Sequence, residues 1–453
     1  MENKSVKKLA FKQKLLVGFT LFGMFFGAGN LIFPIHLGQL AGRNFLPSMI
    51  GFIITAVGIP ILGVAAIGNT HSDGLQSLAN KVGRIYSLIF TILLYLTIGP
   101  FFAIPRCAST SFTTGLSPLI GDFSSTWALL IFSFIFFALV LFFSIKNNKI
   151  TTWIGKIINP IFLIFLAIIL VVALINSKTS LTSITPSADY DTFFKALSSS
   201  FIEGYATMDA IAGLAFGIVV IDIIKKMGVK NDEAIAKDVL SSGLLTGLLM
   251  AIIYILTIIL GVKSLGSFSV SSNGGIALGE IANKYLGSAG NVILFITITA
   301  ACLKTSIGLV TSCSETFVKI SKNKIPYKAW AIIFTVISFS ISNFGLSTII
   351  NYSIPFLMLL YPLAITLIAL ALTGKLFKHN RIIYICVTIC TFIPALFDFI
   401  KTLPFADKLS FITDLGRKIF PLFDLNLGWL VPSLIGFIIG LIIILIKTKA
   451  KRA

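Results

Sequence analysis

Charged residues and cysteines are both scarce in this sequence. Only 12% of its 453 residues are Asp, Glu, Lys or Arg, about half the share that is usual in soluble domains. The five cysteines all lie in apolar stretches and form no CxxC pair, so neither a disulfide framework nor a zinc site is expected. The sequence also contains no Walker A loop and no convergent set of catalytic side chains. We therefore predict that the protein is not an enzyme and needs no cofactor.

Long apolar stretches are what the sequence has in abundance. Hydrophobic residues make up 56% of it, and Phe alone occurs 41 times. A helix needs about 20 apolar residues to cross a bilayer, and runs without period-2 alternation argue against a membrane β-barrel. We predict a single all-α polytopic domain, surrounded by membrane lipid, with about 12 transmembrane helices. The predicted spans are 15–40, 45–67, 85–112, 126–145, 151–175, 193–223, 239–262, 287–318, 329–346, 348–373, 382–400 and 428–446.

The basic residues are distributed as the positive-inside rule requires. The formal net charge is +19, from 36 Lys and Arg against 17 Asp and Glu. With twelve spans, one set of alternate loops holds 24 Lys and Arg and the opposite set holds 8. This bias predicts a protein of the cytoplasmic membrane with both termini in the cytoplasm. Because the positive charges are confined to short loops between spans, we predict no nucleic-acid partner.

Two of the spans contain residues that interrupt a helix. In the first span, residues 23–34 read GMFFGAGNLIFP, and in the sixth, residues 198–209 read SSSFIEGYATMD. Glu203 and Asp209 would each cost about 2.5–3.5 kcal/mol if unpaired at the bilayer centre. Interrupted helices in membranes line protein-walled cavities, although Gly27 and Gly29 by themselves are also compatible with close helix packing.

The spacing of the two interruptions predicts an internal repeat. They are five spans apart, so a second five-span unit would be inverted relative to the first. This arrangement is typical of secondary transporters. We expect repeat one at about 11–176, repeat two at about 193–373, and two accessory helices at about 380–447, with the broken helices 1 and 6 meeting at the midplane.

Each break offers groups with a defined chemistry. The half-helix that begins near Ala28 and Gly29 presents N–H groups that suit a carboxylate. The preceding carbonyls, near Gly23 and Phe26, suit a small cation. In the eighth span, the hydroxyls of residues 305 and 306 lie about one turn from the carbonyl of residue 302, and neutral oxygens are ligands for hard cations. Taken alone, a Thr-Ser pair usually bonds to its own backbone.

The sequence resembles the branched-chain amino acid:cation symporter family. The resemblance is carried by residues 23–34, by residues 204–210 (GYATMDA) and by residues 305–308 (TSIG), and it extends over essentially the whole chain. It implies the leucine-transporter fold and import of L-leucine, L-isoleucine and L-valine across the bacterial cytoplasmic membrane, usually with sodium. It also implies binding residues. The substrate set is Phe25, Ala28, Gly29, Asn30, Gly204, Tyr205 and Thr207, and the sodium set is Gly23, Phe26, Cys302, Thr305 and Ser306.

Several charged residues leave alternatives open. Lys304 precedes the Thr-Ser pair, where the family is expected to have an uncharged residue. It could replace the cation and give proton coupling or exchange, but pairing with Glu203 or Glu315 is the favoured interpretation. Glu203 and Asp209 are either coupling carboxylates or supports of the broken helix, and Arg106 is expected to pair with a buried acid. An ion channel is the alternative from another class, because broken helices also line pores.

Overall fold

Every regular element of the described residues is a helix. The computed structural model describes residues 8–70, 72–123, 125–145 and 151–450. The helices are α1 Phe11–Phe25, α2 Ala28–Ala41, α3 Phe45–Ile53, α4 Ile59–Asn69, α5 Leu75–Ala79, α6 Arg84–Leu96, α7 Ala103–Thr110, α8 Ser117–Ile120, α9 Thr126–Ile145, α10 Asn159–Asn176, α11 Phe193–Glu203, α12 Asp209–Lys226, α13 Asp232–Ser264, α14 Gly274–Ile320, α15 Tyr327–Ser342, α16 Leu346–Thr373, α17 Arg381–Lys401, α18 Ser410–Ile419 and α19 Leu430–Ala450.

The apolar helices confirm a polytopic membrane protein. Within the described part of the chain, nine helices are long and apolar enough to cross a bilayer, and the bent pair of α11 and α12 makes a tenth. The first predicted span is divided between α1 and α2, and α15 has only 16 residues. The count of twelve therefore stays a prediction. Some basic residues that contribute to the predicted loop bias lie outside the described residues: Lys4, Lys7, Lys146, Lys149, Lys451 and Arg452.

The first span is broken where its glycines predict a break. Helix α1 ends at Phe25 and α2 begins at Ala28, with Phe26 and Gly27 in non-helical conformations between them. The backbone N–H of Gly27 donates to Oδ1 of Asn30 at 2.8 Å. This bond satisfies one of the donors that a helix start leaves without a backbone partner. The side chain of Asn30 thereby stabilises the break inside an otherwise apolar span.

The sixth span is broken as well. Helix α11 passes into a 3₁₀ turn, Gly204–Thr207, and Met208 adopts a left-handed conformation with φ of 65° before α12 begins. The two halves are bent by 43°. The hydroxyl of Thr207 donates to the carbonyl of Gly204 at 2.8 Å and accepts the N–H of Asp209 at 3.3 Å. Local polar side chains thus replace the backbone bonds lost at the bend.

Helices α2 and α13 cross at two facing glycines. A Cβ atom added to Gly38 would lie 3.0 Å from the Cα of Gly261, and closer still to the carbonyl oxygen of Ile258. We expect Gly38→Ala to lower the free energy of unfolding by about 1–3 kcal/mol, because the backbones must separate. The readout is the thermal midpoint of the detergent-purified protein. Gly279→Ala is the control, because an added Cβ there would meet no other part of the described chain within 4 Å beyond its own helix backbone. Equal midpoints for both variants would contradict the prediction.

Candidate functional site

The two helix breaks line one pocket whose walls consist of buried residues. Its walls come from α1, α2, α12 and α14, together with the third span around Arg106. Five of the seven predicted substrate residues line it, and they come from both broken spans: Phe25, Ala28, Gly29, Asn30 and Thr207. The fold therefore brings to one place residues that are about 180 positions apart in the chain.

Gly204 and Tyr205 are not among the residues that line this cavity, and their contact with substrate stays a prediction. The ring of Tyr205 stacks on the ring of Tyr361, with centroids 4.0 Å apart. Gly204 faces the second span, where an added Cβ would lie 2.7 Å from the Cβ of Thr55. The tight 3₁₀ turn directs these two residues into helix packing, while Thr207, near its end, reaches the cavity.

Asp209 connects the two breaks through a buried polar cluster. Its Oδ2 accepts a hydrogen bond from Nδ2 of Asn30 at 2.5 Å and one from the hydroxyl of Tyr254 at 3.2 Å. Asn30 Nδ2 also contacts the Tyr254 hydroxyl. Asn30 therefore caps α2 with its oxygen and holds Asp209 with its nitrogen. Sequence analysis does not identify Tyr254, which lies in an apolar stretch of α13.

Arg106 lies in the cavity wall without the predicted acid partner. Its Nη1 donates to the carbonyl of Ala206 at 2.7 Å and its Nη2 to the carbonyl of Thr207 at 3.4 Å. The guanidinium also lies over the ring of Phe33, 5.5 Å from the centroid. The expected ion pair is wrong, because no carboxylate of the described residues is within 4.0 Å. Carbonyls exposed by the broken sixth span take its place.

The predicted cation residues meet where α14 passes the first break. The hydroxyls of Thr305 and Ser306 are buried and make no hydrogen bond to the backbone of the described residues, so the backbone-bonded alternative is wrong for both. Thr305 lines the cavity and lies so close to the break that a Cβ at Gly27 would be 2.9 Å from its Oγ1. The other members of the set are buried outside the cavity lining: Gly23, Phe26, Cys302 and Ser306.

Lys304 is fully buried, and its expected pairing with Glu203 or Glu315 is wrong. Its Nζ donates to Oδ1 of Asn159 at 2.9 Å. It also lies 3.6 Å from the centroid of the Phe162 ring, 5.0 Å from that of Phe22 and 5.7 Å from that of Phe26. No described carboxylate lies within 4.0 Å of it. Aromatic faces and one amide oxygen therefore surround the ammonium group, an arrangement that attracts a cation.

Asn159 connects Lys304 to the first span. Its Nδ2 donates to the carbonyl of Phe19 in α1 at 2.8 Å. A Cβ added to Gly23 would lie 3.5 Å from its Oδ1, the atom that also accepts from Lys304. The sequence alone does not single out Asn159, because an asparagine at the start of an apolar helix is usually a local cap.

Comparisons with known proteins agree with this architecture. A family model described as "Branched-chain amino acid transport protein" matches residues 10–447. The branched-chain amino acid permease BrnQ of Lactobacillus delbrueckii subsp. lactis is 47% identical over 434 residues, covering 96% of this chain and 97% of the relative. The permease BrnQ of Bacillus subtilis is 36% identical over 443 residues, covering 98% and 99%.

Solved transporter structures share the fold. MhsT in complex with L-phenylalanine matches with a TM-score of 0.59 and 16% identity, covering 96% of this chain and 99% of MhsT. Mhp1, a nucleobase-cation-symport-1 family transporter, matches with a TM-score of 0.58 and 14% identity, covering 97% and 94%. The sequence matches over nearly the full length confirm the predicted family and class, a transporter and not an enzyme. The chain belongs to the branched-chain amino acid transport protein family.

Proposed function

We propose that this chain imports leucine, isoleucine and valine by symport with a cation, through alternating access to the cavity. The observation that supports this most directly is the convergence of both helix breaks on one buried space lined by Phe25, Ala28, Gly29, Asn30 and Thr207. The first turn of α2 leaves N–H groups without intrahelical partners at its positive end. An amino acid carboxylate fits this end of the helix.

The rest of the cavity suits a branched apolar side chain. Phe25 and Phe216 meet edge to face with ring centroids 5.2 Å apart, and Ile98, Ala212 and Leu309 complete the wall. One methylene in such a pocket changes affinity by about 1–3 kcal/mol. We therefore expect weak selectivity among the three branched substrates.

Sodium is the first candidate for the cation. The unpartnered hydroxyls of Thr305 and Ser306 offer neutral oxygens, the ligands that hard cations prefer. The carbonyls of Gly23, Phe26 and Cys302 would complete this set. The resemblance to sodium-coupled symporters led to the same residues.

The proton is the second candidate, and the surroundings of Lys304 favour it. The Nζ of Lys304 lies 5.7 Å from the centroid of the Phe26 ring and bonds Asn159, whose Oδ1 is also close to Gly23. When Lys304 is protonated, it would repel a sodium ion bound nearby, because the surrounding medium has a low dielectric. A buried lysine can itself carry the coupled ion, as a proton on its amine. We propose the proton as the coupled ion, with sodium as the alternative that transport experiments separate.

The broader architecture belongs to the same proposal. We propose that the chain lies in the bacterial cytoplasmic membrane with both termini in the cytoplasm, as the loop charges favour. Repeat one would span about 11–176 and repeat two about 193–373, with accessory helices at about 380–447. The two breaks, one in each proposed repeat, support this division.

A counterflow assay with competing amino acids tests the proposed substrate specificity. Purified protein in liposomes loaded with unlabelled L-leucine should accumulate external labelled L-leucine, because exchange needs only the substrate site. L-isoleucine and L-valine should compete within about 100-fold of L-leucine, since each differs from it by about one carbon or one branch point. D-leucine and L-lysine should not compete. Equal competition by D-leucine, or no counterflow of any branched-chain amino acid, would contradict the proposed substrate.

A further inference from the structure

The cavity contains two buried ionisable side chains of opposite sign, Arg106 and Asp209, that form no ion pair with each other. Arg106 is 4% exposed and Asp209 is 2% exposed, and both line the cavity. Within the described residues, neither has an oppositely charged group within 4.0 Å. Buried charges without a counter-charge are strongly unfavourable. A ligand that carries both charges would compensate the two groups together.

Neutral partners hold the two charges apart. The Arg106 guanidinium is bound by the carbonyls of Ala206 and Thr207, and the Asp209 carboxylate by Asn30 and Tyr254. These bonds orient both groups before any ligand arrives. An oriented pair of opposite charges matches a zwitterion better than it matches a singly charged molecule.

The positive end of this pair coincides with the start of α2. A Cβ added to Gly29 would lie 3.0 Å from Nη2 of Arg106, so the guanidinium packs against the first turn of that helix. Two positive features, the helix N-terminus and the guanidinium, therefore converge on one part of the cavity. The unpartnered hydroxyl of Thr305 is buried in the same cavity. A carboxylate there would accept hydrogen bonds from all three.

We propose that Arg106 binds the α-carboxylate of the substrate together with the first turn of α2, and that Asp209 faces its α-ammonium group. This inference rests on the proposed transport of branched-chain amino acids and adds how the cavity recognises the amino acid backbone. It predicts that the protein accepts zwitterions and rejects the matching amine and the matching acid. Arg106 then acts as a specificity-determining residue as well as a support for the broken sixth span.

Two leucine analogues test the two charges separately. One is 3-methylbutylamine, which is leucine without its carboxylate, and the other is 4-methylpentanoate, which is leucine without its ammonium group. Competition against labelled L-leucine, with full-length protein in liposomes, gives the three affinities. For the unaltered protein we expect both analogues to bind at least about 100-fold more weakly than leucine, because each leaves one buried charge without its partner. Equal binding of leucine and either analogue would overturn the role of the corresponding charge, and this comparison needs no variant.

The substitutions Arg106→Gln and Asp209→Asn then test which of the two side chains recognises each charged group of leucine. We expect Arg106→Gln to weaken the binding of leucine by at least about 30-fold and to leave the affinity for 3-methylbutylamine unchanged. We expect Asp209→Asn to weaken the binding of leucine by a similar factor and to leave the affinity for 4-methylpentanoate unchanged. Arg84→Gln removes an exposed arginine, and Asp398→Asn removes a carboxylate that is equally buried but lies outside the cavity. Both controls should preserve all three affinities.

A purely structural role gives a different pattern. If Arg106 only supports the sixth span, Arg106→Gln weakens the binding of leucine and of 3-methylbutylamine by the same factor. That result overturns the inference and leaves the proposed function intact. If the unaltered protein binds no branched-chain amino acid at all, the proposed function and this inference fail together. Protein that is monodisperse on size-exclusion chromatography is required for each variant, and the comparison on the unaltered protein decides the matter if a variant does not fold.

Discussion

Replacing Lys304 by methionine is expected to separate coupling from substrate binding. Methionine fills the space among the Phe22, Phe26 and Phe162 rings with a similar unbranched side chain, so packing changes little. It cannot carry a proton. We expect accumulation of leucine driven by an inward proton gradient to fall at least about tenfold, because a buried ionisable group in a membrane transporter is usually part of the ion pathway. Counterflow, which needs no net ion movement, should remain.

A second lysine provides the control for this result. Lys263, at the end of α13, is half-buried and bonds the carbonyls of Leu174 and Ser177 at the end of another helix. Lys263→Met should affect neither proton-driven accumulation nor counterflow. Full proton-driven accumulation by Lys304→Met would show that the proton is carried elsewhere. Loss of counterflow together with accumulation would indicate that Lys304 supports the substrate site instead.

Removing the side chain of Asn30 is expected to disable the site. Asn30→Ala would leave the N–H of Gly27 without this acceptor and would remove one of the donors to the carboxylate of Asp209, leaving Tyr254. Each unsatisfied buried group costs about 1–3 kcal/mol, and more when it is charged. We expect leucine affinity in the competition assay to fall at least about 30-fold, which corresponds to about 2 kcal/mol. Asn176→Ala removes an exposed asparagine that, among the described residues, bonds the carbonyl of Val172 in its own helix, and it should change nothing.

An exchange of the two side chains tests the cluster itself. Asn30→Asp alone places two carboxylates side by side, which repel each other when both are ionised. The double variant Asn30→Asp with Asp209→Asn restores one amide and one carboxylate, and it keeps an acceptor for the Gly27 N–H. We expect the double variant to bind leucine more tightly than the Asn30→Asp variant. If the double variant is weaker than either single variant, the hydrogen bond between positions 30 and 209 is not what organises the two breaks.

The sequence predicts the breaks well because the residues that cause them are local. Gly27, Gly29 and Asn30 are close together in one apolar span, and a helix in lipid cannot open without such residues. The same holds for the polar segment that ends at Asp209. Five of the predicted substrate residues come together because both breaks are identified correctly.

What the sequence does not predict depends on contacts between distant spans. The orientation of Tyr205 follows from a 3₁₀ turn whose pitch differs from that of an α-helix, and its partner Tyr361 is more than 150 positions away. The partners of Lys304 and Arg106 were expected to be acids because an acid is the usual counter-charge of a buried base. The structure uses aromatic rings and free carbonyls instead, and these are groups that occur all along the sequence.

Uptake of labelled L-leucine into proteoliposomes under an inward proton gradient, an inward sodium gradient or no gradient distinguishes the two candidate coupled ions. We expect saturable accumulation with the proton gradient, loss of that accumulation in Lys304→Met, and no effect of sodium. Accumulation driven by sodium and abolished by Thr305→Ala or Ser306→Ala would contradict the coupling through Lys304 and establish the hydroxyl site. Absence of leucine uptake under every gradient would contradict the proposed function itself.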